Sequence, residues 1–222
     1  PWPSRVQGMA FSPFRADQDG RLNQYPTEQQ LDEDLRLLAP RVRSLRTYGD
    51  GGTLGEIPAI AGRYGISVAV GAWLDRDLAT NEQQVEKAIE LANANRNVVR
   101  VFVGNEVLLR ANLTVEELGA YIDRVRARVS QPVGTAETWA FWLKYPALAR
   151  HCDFLAVHLL PYWEGMNVDA AVDASFENLK RVQRAYPDKQ VIVGEVGWPS
   201  EGRTRGNAVA SVANEALFLR RF

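Results

Sequence analysis

Cysteine occurs once in this 222-residue chain, at Cys152, and histidine twice, at His151 and His158. A single cysteine excludes a disulfide within the chain and any cysteine-rich metal centre. Its context, Arg150-His151-Cys152-Asp153-Phe154, leads into an apolar run, so Cys152 is expected to be a buried packing residue. The two histidines lack the His-Glu-x-x-His or any comparable ligand spacing, which argues against a metal-dependent hydrolase. Charge of one sign is also missing, since the formal net charge is -1. No basic stripe invites nucleic acid and no charge run forms an interaction tail. An uncharged polymer is the easier partner. No apolar run approaches the ~20 residues of a membrane span. A Gly-x-Gly-x-x-Gly turn is absent after the first candidate strand, where Gln7-Gly8-Met9-Ala10 stands, so a dinucleotide-dependent enzyme is disfavoured. Gly49, Gly51, Gly52 and Gly55 have the wrong spacing for that turn and suit a flexible rim loop. No Gly-, Ser- or Pro-rich linker divides the chain, so residues 1–222 are expected to form one domain. The first residue is Pro1, not Met, and an excised domain or a removed leading segment is the expectation.

What is present is regular. Hydrophobic residues make up 46% and charged residues 24%, the balance of an ordinary globular protein. Short apolar runs with strand character recur at Val6–Phe11, Val42–Thr47, Ser67–Gly71, Val98–Val103, Pro132–Ala136, Phe154–His158 and Val191–Val196, with starts 22 to 37 residues apart. That spacing leaves room for a crossover helix after each strand. Thr27 with Gln30, Asn81 with Gln84 and Thr114 with Glu117 predict capped helix starts. Asp169 and Asn207 predict two more. Leucine, isoleucine and valine follow each at helical spacing. Alternating short buried strands and helices predict a parallel sheet covered on both faces. The expected fold is α/β, a parallel (β/α)8-type TIM barrel with only seven βα units in this chain. An eight-unit barrel typically needs ~250 residues, so the barrel is expected to stop before its eighth strand.

The strand ends carry the chemistry. Strand four ends in Val103-Gly104-Asn105-Glu106, and strand seven in Gly194-Glu195-Val196-Gly197-Trp198-Pro199-Ser200. Strand two ends in Arg46-Thr47-Tyr48-Gly49-Asp50, strand five in Thr135-Ala136-Glu137-Thr138-Trp139, and strand six in His158-Leu159-Leu160-Pro161-Tyr162-Trp163. A charged group at the end of a buried strand is costly unless paired or solvated. A glutamate just after a strand is often no more than a helix N-terminal charge, but two among aromatic neighbours ask for more. Paired carboxylates serve glycoside cleavage: one protonates the leaving oxygen, the other attacks the anomeric carbon or activates water. In a parallel barrel the carboxyl ends of the strands form the active face. Six tryptophans are present. Trp2 suits terminal packing, and Trp73, Trp139, Trp142, Trp163 and Trp198 fall near strand ends. Large aromatics are usually core, yet Trp73, Trp139, Trp142 and Trp198 are expected at a sugar-binding cleft.

Asn105-Glu106 and Glu195 resemble the strand-four and strand-seven carboxylates of the large clan of barrel glycosidases. More narrowly, Val103-Gly104-Asn105-Glu106 with Glu195-Val196-Gly197-Trp198-Pro199-Ser200 resembles glycoside hydrolase family 17, whose members act on β-1,3-glucans. Arg46-Thr47-Tyr48-Gly49 and Pro161-Tyr162 are similar to further family signatures. Thr135-Ala136-Glu137 with Trp139 resembles the bacterial branch. The resemblance implies a retaining hydrolase or transglycosylase with Glu106 as general acid/base and Glu195 as nucleophile. It implies that Asn105 binds a sugar 2-hydroxyl and that Tyr48 and Tyr162 line the cleavage subsite. Glu137, Trp139, Trp142 and Trp198 complete the expected substrate contacts, with Glu137 in a substrate or charge-network role. Trp139 and Trp142 would also suit an acceptor platform. No metal or organic cofactor is implied. The expected partner is a β-glucan oligosaccharide or polysaccharide. The domain is not expected to span a membrane; attachment to a membrane protein and a periplasmic or extracellular location fit the bacterial relatives. The alternative is a non-catalytic β-glucan-binding barrel domain.

Overall fold

The structure, a computed structural model, describes residues 3–222; Trp2 lies outside the described residues. Its strands are β1 (Met9–Ala10), β2 (Ser44–Arg46), β3 (Ser67–Ala72), β4 (Val98–Asn105), β5 (Val133–Thr138), β6 (Phe154–Leu159) and β7 (Gln190–Val196). The helices are α1 (Glu28–Leu38), α2 (Ile57–Arg63), α3 (Leu78–Ala94), α4 (Val115–Arg126), α5 (Trp139–Lys144), α6 (Val168–Ala185) and α7 (Val212–Arg221). The seven strands follow chain order in the sheet. Pairings β1–β2, β2–β3, β3–β4 and β6–β7 are all parallel. Sequential order is the topology of a (β/α) barrel; a doubly wound sheet reverses its order at a switch point. The fold class is therefore the expected one, with seven strands among the described residues.

Chain contacts divide into two compact units. Unit 1 is Pro1–Thr135 with His151–Asp153, and unit 2 is Ala136–Arg150 with Phe154–Phe222. In unit 1, α1 turns Leu31 and Leu35 inward, and α4 turns Leu118, Ile122 and Val125 inward. Both helices start with a capping box: the Thr27 and Thr114 hydroxyls accept from the backbone of Gln30 and Glu117, whose side chains accept in return. Strands β2 and β3 approach closely at Gly71, where a Cβ would sit 2.4 Å from the Thr47 carbonyl oxygen. In unit 2, Tyr162, Val168, Ala171, Val172, Trp198, Ala208 and Phe218 form one apolar cluster. Cys152 is buried, as its context predicts.

Three helix starts differ from expectation. Helix α3 begins at Leu78, capped by Asp77. Asn81 is buried inside it, where its amide accepts from Asp75 N and donates to Asp75 O. The capping-box pattern there fails because Asp77, one turn earlier, takes the orphan amides of Ala79 and Thr80. Likewise Asn167 caps α6 in place of Asp169, and Ser211 caps α7 well after Asn207. Among the described residues no helix is long and apolar enough to cross a membrane.

Candidate active site

Two strand-end clusters carry the expected residues, one in each unit. In unit 1 the ends of β2, β3 and β4 supply Arg46, Thr47, Tyr48, Trp73, Asn105 and Glu106. The Arg46 guanidinium donates from Nη2 to Asn105 Oδ1 at 2.5 Å. It also lies 4.9 Å from the Tyr48 ring centroid and 4.4 Å from that of Phe102. Arg46 and Asn105 are both buried, so the bond is charge-assisted and shielded from water. It fixes the Asn105 amide just before Glu106. The Thr47 hydroxyl accepts from Gly71 N at 3.0 Å, tying β2 to β3 beneath Tyr48. Glu106 itself has φ 51 and follows Gly104 with φ 84. A left-handed non-glycine residue is uncommon and marks an imposed conformation.

Just beyond Tyr48, Asp50 is only 2% exposed, and neither carboxylate oxygen has a hydrogen-bond partner on another described residue. Burial pushes its carboxyl up to about 8, against the pull of its own amide and of Lys87; Glu90 pushes it further upward. At neutral pH the group is held largely as the neutral acid.

In unit 2, Glu195 lies on β7 directly across from His158 on β6. Oε1 of Glu195 is 3.5 Å from His158 Nε2, with the histidine fully buried and the Glu195 side chain 19% exposed. A register irregularity between Val157 and His158 aligns these two residues. Gly194 permits it: a Cβ there would lie 3.0 Å from the His158 ring. Trp139 donates from Nε1 to Glu164 Oε1 at 2.8 Å, and Arg181 lies 4.5 Å over its ring. Trp163 is 61% exposed, with Arg205 4.2 Å over its ring.

Several expected sugar contacts are corrected. Trp142 is fully buried, its indole N–H donates to Ala156 O at 2.8 Å, and its carbonyl accepts from the Tyr186 hydroxyl. No ring face remains for a ligand, so Trp142 is a core residue and no acceptor platform. Trp198 is buried, donates to Val209 O at 2.9 Å and packs on Phe218. Tyr162 is buried against Trp198, and its hydroxyl is committed to the Arg203 carbonyl. Both belong to the buried apolar cluster of unit 2. Glu137 is fully buried on β5. Trp139 and Tyr48 keep partial exposure.

Three residues gained no role from sequence reasoning. Arg46 was visible as a charge inside an apolar strand. His158 was weighed only as a metal ligand. Trp163 stood in the strand-six motif without a substrate role, and only its exposure singles it out. Among the described residues no group of His, Cys, Asp and Glu is arranged to hold a metal ion.

The BtgE/BtgC glycoside hydrolase domain model matches residues 8–222. A glucan 1,3-β-glucosidase of Schizosaccharomyces pombe is 32% identical over 198 residues, covering 81% of this chain and 62% of that protein. The chain thus spans less than two thirds of that relative. The crystal structure of a glycoside hydrolase family 17 β-1,3-glucanosyltransferase from Rhizomucor miehei is similar with a TM-score of 0.84 and 29% identity, covering 96% of this chain and 79% of that one. An active-site mutant of the Rhizomucor miehei enzyme in complex with laminaritriose gives 0.85 and 28%, over 96% and 79%.

Proposed function

The chain belongs to the BtgE/BtgC glycoside hydrolase domain family, within glycoside hydrolase family 17, and from that premise we propose that it cleaves or transfers β-1,3-glucan with retention of configuration. The observation that carries this is the placement of Glu106 directly after β4 and of Glu195 one residue before the end of β7. In the first step the Glu195 carboxylate attacks the anomeric carbon, while the Glu106 carboxyl gives its proton to the departing glycosidic oxygen. In the second, Glu106 as carboxylate takes the proton of an incoming hydroxyl, whose oxygen displaces Glu195. Water in that position gives hydrolysis; an acceptor sugar gives transfer. The Asn105 amide, fixed by Arg46, is suited to hold a sugar hydroxyl. Tyr48, the partly exposed Trp139 and the exposed ring of Trp163 suit the apolar faces of pyranose rings. His158 beside Glu195 suits the orientation of the nucleophile.

The laminaritriose complex of the Rhizomucor miehei enzyme supports β-1,3-linked glucose as the substrate class. The fungal source of the relatives compared leaves the bacterial-branch assignment resting on Thr135-Ala136-Glu137 and Trp139. A periplasmic or extracellular setting goes with that assignment, as does attachment to a membrane protein.

Incubation with laminari-oligosaccharides of defined length tests the proposal. Products longer than the substrate mark transfer, and shorter ones alone mark hydrolysis. Glu195→Gln abolishes turnover if the chain is an enzyme. A glucan-binding module would bind oligosaccharide unchanged and turn over none in either form; that result overturns the proposal.

A further inference from the structure

We propose that Arg110 is the positioning residue that holds the turn bearing Glu106. The proposal rests on the acid/base role given to Glu106 above. The segment after β4 is tightly wound: Gly104 has φ 84, Glu106 φ 51 and Ala111 φ 52. A Cβ at Gly104 would lie 2.5 Å from Val107 Cγ2. Left-handed backbone is strained for a non-glycine residue, and such strain persists only where the surroundings over-determine it. Arg110 does the determining. Its Nε and Nη2 both donate to the Asn105 carbonyl, at 3.1 and 2.8 Å. Nη2 also donates to the Leu74 carbonyl at 2.7 Å. With the Asn112 amide oriented to satisfy both groups, Asn112 Oδ1 accepts from Nη1 at 2.5 Å. The Arg110 Cζ lies over the Trp73 ring, 4.3 Å from its centroid. The Arg110 backbone N–H closes the turn on the Glu106 carbonyl at 2.8 Å.

One side chain thus grips the carbonyl that precedes Glu106 and anchors it to the loop leaving β3. Planarity matters more than charge here. A guanidinium presents a rigid fork to carbonyls and a flat face to Trp73, and an ammonium presents neither. Arg110 touches backbone, so its effect on the reaction passes through the placement of Glu106. Displacement of a catalytic group by about 1 Å can cost on the order of 10²-fold in rate.

The test separates placement of the acid/base from general damage. Dinitrophenolate leaves without a proton, so a 2,4-dinitrophenyl β-laminarioside needs no acid in the first step. Azide attacks the glycosyl-enzyme without a proton to lose, so it needs no base in the second and yields a glycosyl azide. Arg110→Lys and Arg110→Met, in the full chain, are expected to lose about 10- to 100-fold in kcat on laminari-oligosaccharide, with KM nearly unchanged. On the activated substrate their first step keeps its rate, and azide accelerates turnover with formation of glycosyl azide; the unsubstituted protein shows no such acceleration. Arg110→Lys is read alone if the Met variant does not fold. Full oligosaccharide turnover in Arg110→Lys overturns the proposal, as does an equal loss on both substrates without an azide response. Glu106→Ala is the control. Azide rescue in Glu106→Ala but not in the Arg110 variants rejects the role of Arg110 alone. Its absence in Glu106→Ala rejects the acid/base assignment, and the Arg110 proposal with it.

Discussion

The two strand-end glutamates sit in different surroundings. In unit 1, β4 is buried along most of its length, and the turn at its end is locked by Arg110 and by the Arg46–Asn105 bond. In unit 2, β7 is half-buried from Val191 to Val196, at the end of the sheet order, and Glu195 lies 3.5 Å from the buried His158. Under the proposed chemistry the difference is useful. A group that gives and then retakes a proton must keep one position through two steps. A nucleophile must advance on carbon and then be released. The aromatics repeat the contrast inside unit 2: Trp142 and Trp198 are structure, Trp163 is surface.

The sharpest way to break the comparison is to remove each carboxylate in turn. Glu195→Gln is expected to abolish turnover on every substrate, since no leaving group removes the need for a nucleophile. Glu106→Gln is expected to lose about 10²–10⁴-fold on laminari-oligosaccharide, but to keep a rapid first step on a dinitrophenyl glycoside. Burst kinetics measure both. A burst from Glu195→Gln would reverse the assignment.

Next in size is the division between core and surface aromatics. Trp142→Ala is expected to destabilise the protein by about 3–5 kcal/mol, read by denaturant unfolding. Trp163→Ala is expected to leave stability within about 0.5 kcal/mol. If its ring stacks on sugar, KM for longer oligosaccharides rises roughly 2- to 12-fold, the equivalent of about 0.5–1.5 kcal/mol. A Trp163→Ala protein that unfolds early and binds normally would place that ring in the core as well.

Asp50 gives unit 1 a pH dependence that can be isolated. The folded carboxyl stands at about 8 against an ordinary 3.8. Below the ordinary value both states are protonated and the stability is complete. Between there and about pH 8 the unfolded chain has released the proton and the folded chain keeps it. Stability therefore falls as pH rises through that window, by about 1.4 kcal/mol per unit from this group, and levels off above it. Asp50→Asn keeps the shape and removes the titration. Urea unfolding at pH 5 and pH 8 should show a smaller loss in Asp50→Asn; equal losses would mean that Asp50 ionises without cost.

How much of this was legible in the sequence follows from what kind of force sets each feature. The seven strands were readable because burial on both faces demands continuous apolar runs, and outside β1 no strand bound differs from expectation by more than two residues. Glu106 and Glu195 were readable because charge after an apolar run is expensive. What sequence could not show is which way an aromatic faces. Trp139 and Trp142 lie three residues apart, one partly exposed and one fully buried, and local pattern gives both the same surroundings. Arg110 was hidden for a related reason. It acts on the backbone carbonyls of Leu74, in the loop after β3, and of Asn105, the last residue of β4, and carbonyls carry no sequence mark.

The smallest effects test whether the units are also held differently at their helix ends. In unit 1, α1 and α4 each open with a reciprocal capping box. In unit 2, α6 and α7 open on single caps, where Asn167 accepts from Asp169 N and Ser211 from Asn214 N. Loss of a cap typically costs ~1 kcal/mol. Thr114→Ala breaks one bond of a pair and leaves the Glu117 carboxylate still accepting from the residue-114 amide at the helix start. Asn167→Ala leaves the first turn of α6 with the Asp169 charge alone to favour its N-terminus. Amide exchange in the first turn should therefore quicken more for Asn167→Ala than for Thr114→Ala, although both shift the unfolding midpoint only slightly. The reverse order would show that the hydroxyl carries the capping box and that the glutamate adds little.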